Sequence, residues 1–213
     1  MILWYNPLMT AGKEEKMLFK KGIVLLFLCA LSVLFASCGP SNTAEHQTAA
    51  YTVTDIEGTA VDFPAPPKRI VTLSMSTDEV MLGLVEPERI AAVNTLLDDP
   101  VSSNVTGLVK EIPQRIGNPT VEEIMALHPD LVVVPDWGDL SMVPSLREAG
   151  LKVVVCKGAT NLAEIRETIT LLATAAGVPE RGEKLLSMMD GKLAEIQEKV
   201  AKIPQDERKR VVL

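Results

Sequence analysis

The 213-residue chain has only three cysteines and two histidines. One thiol lies inside an apolar leader, so no disulfide framework can be built, and two imidazoles in unrelated segments offer little to a metal. Aromatic residues are scarce at 4%. Positive charge is also short: 21 Lys and Arg face 28 Asp and Glu, for a net charge of -7. No basic stripe appears, which excludes nucleic acid as a partner. With 13 glycines and 14 prolines, the chain is neither linker-like nor fibrous. Motifs of catalysis are missing as well. There is no Gly-x-Gly-x-x-Gly after a strand, no phosphate-binding Gly-x-x-x-x-Gly-Lys-Ser/Thr, no His-Glu-x-x-His and no Gly-x-Ser-x-Gly elbow.

What is present begins with a leader. Lys20 and Lys21 precede an unbroken apolar run from Ile23 to Ala36, too short for the roughly 20 residues of a spanning helix. This is the pattern of a signal peptide starting at Met17, with Met1 to Lys16 upstream of it. The run ends in Leu34-Phe35-Ala36-Ser37-Cys38-Gly39, which resembles a bacterial lipobox despite Phe35 at a place more usually leucine. Residues 1–37 are therefore expected to be removed and Cys38 to be lipidated. The alternative, an uncut anchor helix, also leaves the rest outside the membrane. Residues 38–50 are small and polar without periodicity, a flexible tether in which His46 is idle. The leader takes four lysines and two glutamates with it, so the mature protein is more acidic still.

From Tyr51 the pattern alternates, and Tyr51, Val53, Ala60, Val61 and Phe63 around Glu57-Gly58 predict a hairpin. Ile70 to Leu73 reads as a buried strand. A helix with Val80, Met81, Leu84 and Val85 on its inner face follows, capped by Ser76 and Glu79. Ile90 to Val93 is a second strand. Thr120 and Glu123 form another capping box, opening a helix with Ile124, Met125 and Leu127 inward. Leu131 to Val134 is the strongest buried-strand signal, Met142 to Ala149 a helix stopped by Gly150, and Val153 to Val155 the next strand. Asn161 and Glu164 start a helix that Gly177 closes. Strand and helix alternate throughout, so the expected class is α/β: a Rossmann-like parallel sheet with helices on both faces and right-handed crossovers. One long amphipathic helix then carries Leu186, Met189, Leu193, Ile196 and Val200 at spacings of three and four.

In such a sheet ligands bind beyond the carboxyl ends of the strands. That rule selects the loops with Ser74, Met75 and Ser76, with Asn94, Thr95 and Leu96, with Gly117, Asn118 and Pro119, and with Pro135 to Gly138. Trp137 is either an aromatic wall for a flat or bulky ligand or an indole packed on its own domain. The acid pairs Asp98-Asp99 and Glu122-Glu123 read as solvated surface, His128 as a cap or surface residue, and Cys156 as a buried thiol.

Four ordered stretches carry a family resemblance: Pro67-Lys68-Arg69-Ile70-Val71-Thr72-Leu73-Ser74, Gly117-Asn118-Pro119-Thr120-Val121-Glu122-Glu123-Ile124, Ala126-Leu127-His128-Pro129-Asp130-Leu131-Val132, and Leu146-Arg147-Glu148-Ala149-Gly150-Leu151-Lys152-Val153-Val154. They resemble the iron-siderophore and cobalamin substrate-binding proteins of ABC importers. The resemblance implies two lobes joined by a rigid helix, with a ferric siderophore, haem or cobalamin held between them and delivered to an ABC importer permease. It implies no catalysis, cofactor or resident metal. It places a permease-docking glutamate at Glu122, and the carboxyl-end rule gives Ser74, Met75, Ser76, Thr95, Gly117, Asn118, Pro119 and Trp137 as the ligand-binding residues. Residues 51–178 would be the N-terminal lobe, 179–205 the interlobe helix and 206–213 the first strand of a second lobe. The chain is thus expected to be the front half of a longer protein. The alternatives are a single-lobe interaction or sensor protein, and an extracytoplasmic metal-binding enzyme.

Overall fold

A computed structural model describes residues 50–209. Strands β1 (Tyr51–Thr54) and β2 (Ala60–Phe63) pair antiparallel, as the alternation predicts. Val53, Val61 and Phe63 turn inward. The turn is built on Asp55, whose Oδ1 accepts the backbone N–H groups of Glu57 (3.0 Å) and Thr59 (2.9 Å). Its Oδ2 accepts Arg147 Nη2 at 2.7 Å and the Val155 N–H at 3.3 Å. One buried carboxylate therefore closes the hairpin and fastens it to the main sheet.

That sheet contains β3 (Ile70–Thr72), β4 (Ile90–Asn94), β5 (Arg115–Ile116), β6 (Leu131–Pro135) and β7 (Val153–Cys156) in the order β5-β4-β3-β6-β7. Every neighbouring pair is parallel. The chain starts at the centre, builds outward through β4 and β5, and returns to lay β6 on the other side of β3. The direction of winding thus reverses between β3 and β6. Helices α1 (Met75–Leu84), α2 (Val121–Ala126), α3 (Val143–Glu148), α4 (Leu162–Ala175) and α5 (Pro179–Ala201) complete the fold.

The helices cover both faces because the buried strands alternate. Leu131 and Val133 of β6 and Val154 of β7 enter one core with Met81 and Leu84 of α1 and Leu172 of α4. Val132, Val134, Val153 and Val155 enter a second core with Ile124 of α2 and Leu146 of α3. Period-two alternation within continuously apolar strands sends successive side chains to opposite helical layers.

Local detail departs from the pattern in three places. The cap of α1 is Ser74 rather than Ser76: its extended backbone (φ -153, ψ 152) lets its side chain accept the Thr77 N–H, while Ser76 already lies in the first turn. Met125 is 42% exposed, because α2 has only six residues and buries Ile124, with Val121 packing partly beside it. The predicted helix from Met142 starts as a 3₁₀ turn (Leu140–Met142) and is α-helical only from Val143. The Thr120–Glu123 capping box is present with both of its hydrogen bonds. Asn161 caps α4 as expected.

Helix α5 is long, as its periodicity predicts, and packs against α4 through Gly182, where a Cβ would lie 2.5 Å from that of Ala173. Arg166 of α4 pairs with Asp190 of α5. Beyond that point Ile196 and Val200 of the apolar stripe are 54% and 42% exposed. Residues 205–207 form a 3₁₀ turn. That turn stands where the strand expected at 206–213 would begin, so residues 206–207 are not strand; its residues 210–213, like the leader, Cys38 and His46, lie outside the described residues.

Candidate functional site

The carboxyl ends of β3 and β6 flank the point where winding reverses, and the segments leaving them are built by local chemistry. After β3, Ser74 accepts Thr77 N–H at 3.2 Å and shares a 2.7 Å contact with Thr77 Oγ1. Ser74 is thereby buried, and Met75 packs on the core. Ser76 alone of the three is exposed to the rim.

Below them lies a residue that pattern reading passes over. Asp78 of α1 is completely buried, accepts the hydroxyl of Thr72 at the end of β3, and accepts the backbone N–H of Asn94 at the end of β4 at 2.7 Å. Burial pushes its carboxyl up to about 7, against the opposing pull of the Thr72 and Asn94 hydrogen bonds. Asn94 in turn caps the next turn by accepting Leu96 N–H at 2.9 Å. One acid therefore sets the positions of the Ser74–Ser76 and Thr95 segments relative to each other. The only clue to it in the sequence is an acidic residue on the inner face of an amphipathic helix.

After β6, Asp136 accepts the Gly158 N–H at 2.8 Å and pairs with Lys157 Nζ at 3.2 Å. The Gly158 hydrogen bond, followed by Lys157, holds its carboxyl below the usual aspartate value. This clasp joins the ends of β6 and β7. It also presents Trp137, whose indole is 66% exposed. The ring lies so close to Gly158 that a Cβ there would stand 2.7 Å from Nε1. Glycine at 158 leaves room for the indole to lie against the backbone, and a Cβ there would displace the ring.

A cavity of about 470 Å³ opens at this place. Ser76, Thr77 and Val80 of α1 form one side, Pro135, Trp137 and residues 157–160 the rim, and Ile165 and Thr168 of α4 the other side. Its volume lies in the range of small-molecule sites, and its mixture of apolar wall and few hydroxyls suits a bulky ligand with an apolar body. Of the predicted ligand residues, Ser76 and Trp137 are brought together here. Pro135 lies in a loop that the sequence selects, whereas Thr77, Val80, residues 157–160, Ile165 and Thr168 are not predicted, although the carboxyl-end rule applied to β7 points to 157–160 just as it points to the other loops.

Gly117, Asn118 and Pro119 do not join them. They line a separate cavity of about 440 Å³ with Gln114, Arg115, Glu123 and Leu127. Thr95 is exposed and close to Gly117, whose Cβ, if present, would lie 3.9 Å from Thr95 Oγ1. Glu122 is exposed in the first turn of α2, next to the capping Glu123. Cys156 is a free, buried thiol, and burial raises it to about 12, far from a reactive thiolate. His128 adopts φ 48 in the turn after α2. Among the described residues no three His, Cys, Asp or Glu side chains are grouped to hold a metal.

Residues 70–213 match the family model described as periplasmic binding protein. The chain is 27% identical over 206 residues to an uncharacterized ABC transporter substrate-binding lipoprotein, YvrC, of Bacillus subtilis (strain 168), covering 91% of this chain and 63% of that protein. It is 26% identical over 164 residues to a cobalamin-binding protein of Halobacterium salinarum, covering 73% of this chain and 43% of the other. Among solved structures, heme binding protein HmuT superposes with a TM-score of 0.61 at 23% identity, over 74% of this chain and 51% of that one. The fold is shared at that distance. The chain thus spans between 43% and 63% of the length of these proteins.

Proposed function

Since the chain belongs to the periplasmic binding protein family, we propose that it captures a bulky metal complex outside the cytoplasmic membrane, namely a ferric siderophore, haem or cobalamin, and delivers it to an ABC importer permease. The observation that carries this reading is the cavity at the switch point between β3 and β6, with an exposed indole held over Gly158 as its wall. Doubly wound sheets bind ligands at this position. The one buried acid with a carboxyl near neutrality, Asp78, spends its oxygens on Thr72 and Asn94. It is not among the residues that line the cavity. The relatives named above are substrate-binding proteins, which supports the same conclusion.

In this reading Ser76 and Trp137 contact the ligand and Ser74 and Met75 shape their loop. Thr95, Gly117, Asn118 and Pro119 form a neighbouring rim. Glu122, exposed on α2, docks on arginines of the permease by charge-assisted hydrogen bonds. Residues 1–37 are the signal peptide, lipidated Cys38 and the tether to residue 50 anchor the protein, and residues 51–178 are the ligand lobe. Helix α5 then leads to a second lobe that begins at 206–213 and supplies the opposing wall. The exposed Ile196 and Val200 on α5 suit such a contact.

The test is titration of the chain with ferrioxamine B, haemin and cyanocobalamin, followed by tryptophan fluorescence and calorimetry. Saturable binding of at least one, with quenching that Trp137→Phe removes, is expected. No saturation by any of them at about 1 mM, equivalent to less than about 4 kcal/mol of binding, overturns the proposal.

A further inference from the structure

The charge on the loops around the cavity restricts the ligand further. Segments 73–76, 95–99, 117–120, 136–139 and 157–160 leave the carboxyl ends of the five parallel strands. Together they hold four acids, Asp98, Asp99, Asp136 and Asp139, and a single cation, Lys157. Its charge is offset, since its ammonium pairs with Asp136 at 3.2 Å. It is also the only charged residue among those lining the cavity, where the other polar groups are the neutral hydroxyls of Ser76, Thr77, Thr160 and Thr168. Arg115, the nearest cation on β5, is likewise taken, bonding both carboxylate oxygens of Asp98 at 2.7 and 2.9 Å and the carbonyls of Ile112 and Val109.

A site that recognises a multiply charged anion presents unpaired guanidinium or ammonium groups, because desolvating an anion without a partner is costly. This wall offers an indole, aliphatic groups and hydroxyls instead, with surplus negative charge around it. Asp136 and Asp139, on the loop that carries Trp137, put negative charge beside the cavity, and like charge slows and weakens the approach of anions in a way that salt screens. Resting on the binding function proposed above, we infer that the wall built by this chain selects metal complexes without net negative charge, such as ferric tris-hydroxamates or corrinoids, and rejects ferric tris-catecholates. Apolar surface against Trp137 and a hydroxyl contact from the exposed Ser76 supply the attraction.

The experiment is a titration of the full chain with four probes at low and moderate salt: ferrioxamine B, cyanocobalamin, ferric enterobactin and haemin. The expected result is binding of ferrioxamine B or cyanocobalamin at least tenfold tighter than of ferric enterobactin, with the deficit narrowing as salt screens the loops. Which of the first two binds separates the hydroxamate source from the corrinoid source. Ferric enterobactin or haemin binding as tightly as cationic ferrioxamine B or neutral cyanocobalamin overturns the charge inference and leaves the binding function standing. No binding by any probe overturns the binding function itself. Asp136→Asn provides a second reading, since an amide can still accept the Gly158 N–H but no longer neutralises Lys157. It is expected to raise the ratio of ferric enterobactin to ferrioxamine B affinity several-fold, and an unchanged ratio counts against the inference.

Discussion

Asp78 makes the stability of this fold depend on pH in a direction opposite to that of ordinary paired carboxylates. It is fully buried between α1, β3 and β4. Removal from water dominates over the hydrogen bonds from Thr72 and Asn94 and lifts its carboxyl from 3.8 to about 7, with neighbouring Glu79 adding to the rise and Arg115 slightly opposing it. The folded protein therefore keeps a proton that the unfolded chain releases near 3.8. Stability from this group is fully present below about pH 4. It declines by about 1.4 kcal/mol per pH unit up to about pH 7 and is level above that. The whole effect amounts to about 4 kcal/mol, a large part of the stability of a domain of this size. Carboxyls held low by partners, Asp136 and Asp139 among them, act below their own ordinary values and leave this window undisturbed. Tyr51 and Cys156, both pushed up to about 12, act only at alkaline pH.

Asp78→Asn is the informative variant. Its carbonyl can accept the Asn94 N–H and its amide can donate to Thr72 Oγ1, which reproduces the protonated acid without the titration. Urea unfolding followed by circular dichroism between about pH 4 and about pH 8 is expected to show a falling stability for the parent and a flat profile for the variant. The variant becomes the more stable of the two at neutral pH. A parent profile that is flat across this range, or a variant that loses the same stability at every pH, refutes the argument. Either would mean that water or a rearranged partner solvates the carboxylate in its place.

Gly158→Ala puts a methyl group where the Trp137 indole now lies; the ring is expected to swing away, changing its emission and weakening ligand quenching while the unfolding midpoint moves little. Asp55→Ala removes the acceptor of three backbone N–H groups and the partner of Arg147, and a loss of about 3 kcal/mol in urea unfolding is expected; a loss below about 1 kcal/mol would show that the hairpin is held by Val53, Val61 and Phe63 instead. Hydrogen exchange is expected to be slow in α5 up to Asp190, where α4 supports it, and fast from Lys192 to Lys202, where the side-chain ion pairs are only the helix's own Lys192–Glu195 and Glu198–Lys202. Slow exchange through Ala201 would show that something covers Ile196 and Val200 in solution.

The fold was legible because burial leaves a period. Leu131 to Val134 and Val153 to Val155 are apolar without interruption, as strands covered on both faces must be. The capping box at Thr120 and Glu123 sits where it was expected because its geometry needs only four consecutive residues. Ser76 was misjudged as a cap for a related reason: Ser74, two residues earlier, offers the same chemistry, and only the end of β3 decides which serine is still extended. Strand β5 left no trace, since two residues cannot show a period.

The candidate site was legible only at its edges. A post-strand loop can be found from the strand before it, and so Ser76 and Trp137 were within reach. Whether the loops converge depends on strand order, and the separation of Gly117–Pro119 from Trp137 follows from β5 lying at the far edge while β6 lies beside β3. Lys157 shows the limit most clearly. In the sequence it is merely the residue after a buried thiol, whereas in the fold it is the sole cation of the cavity lining, neutralised by an aspartate twenty-one positions earlier. The proposed charge selectivity rests on such pairings. It could not be inferred from the net charge of the chain, because an acidic protein can still concentrate free cations at one site, whereas here Lys157 and Arg115 are paired with Asp136 and Asp98.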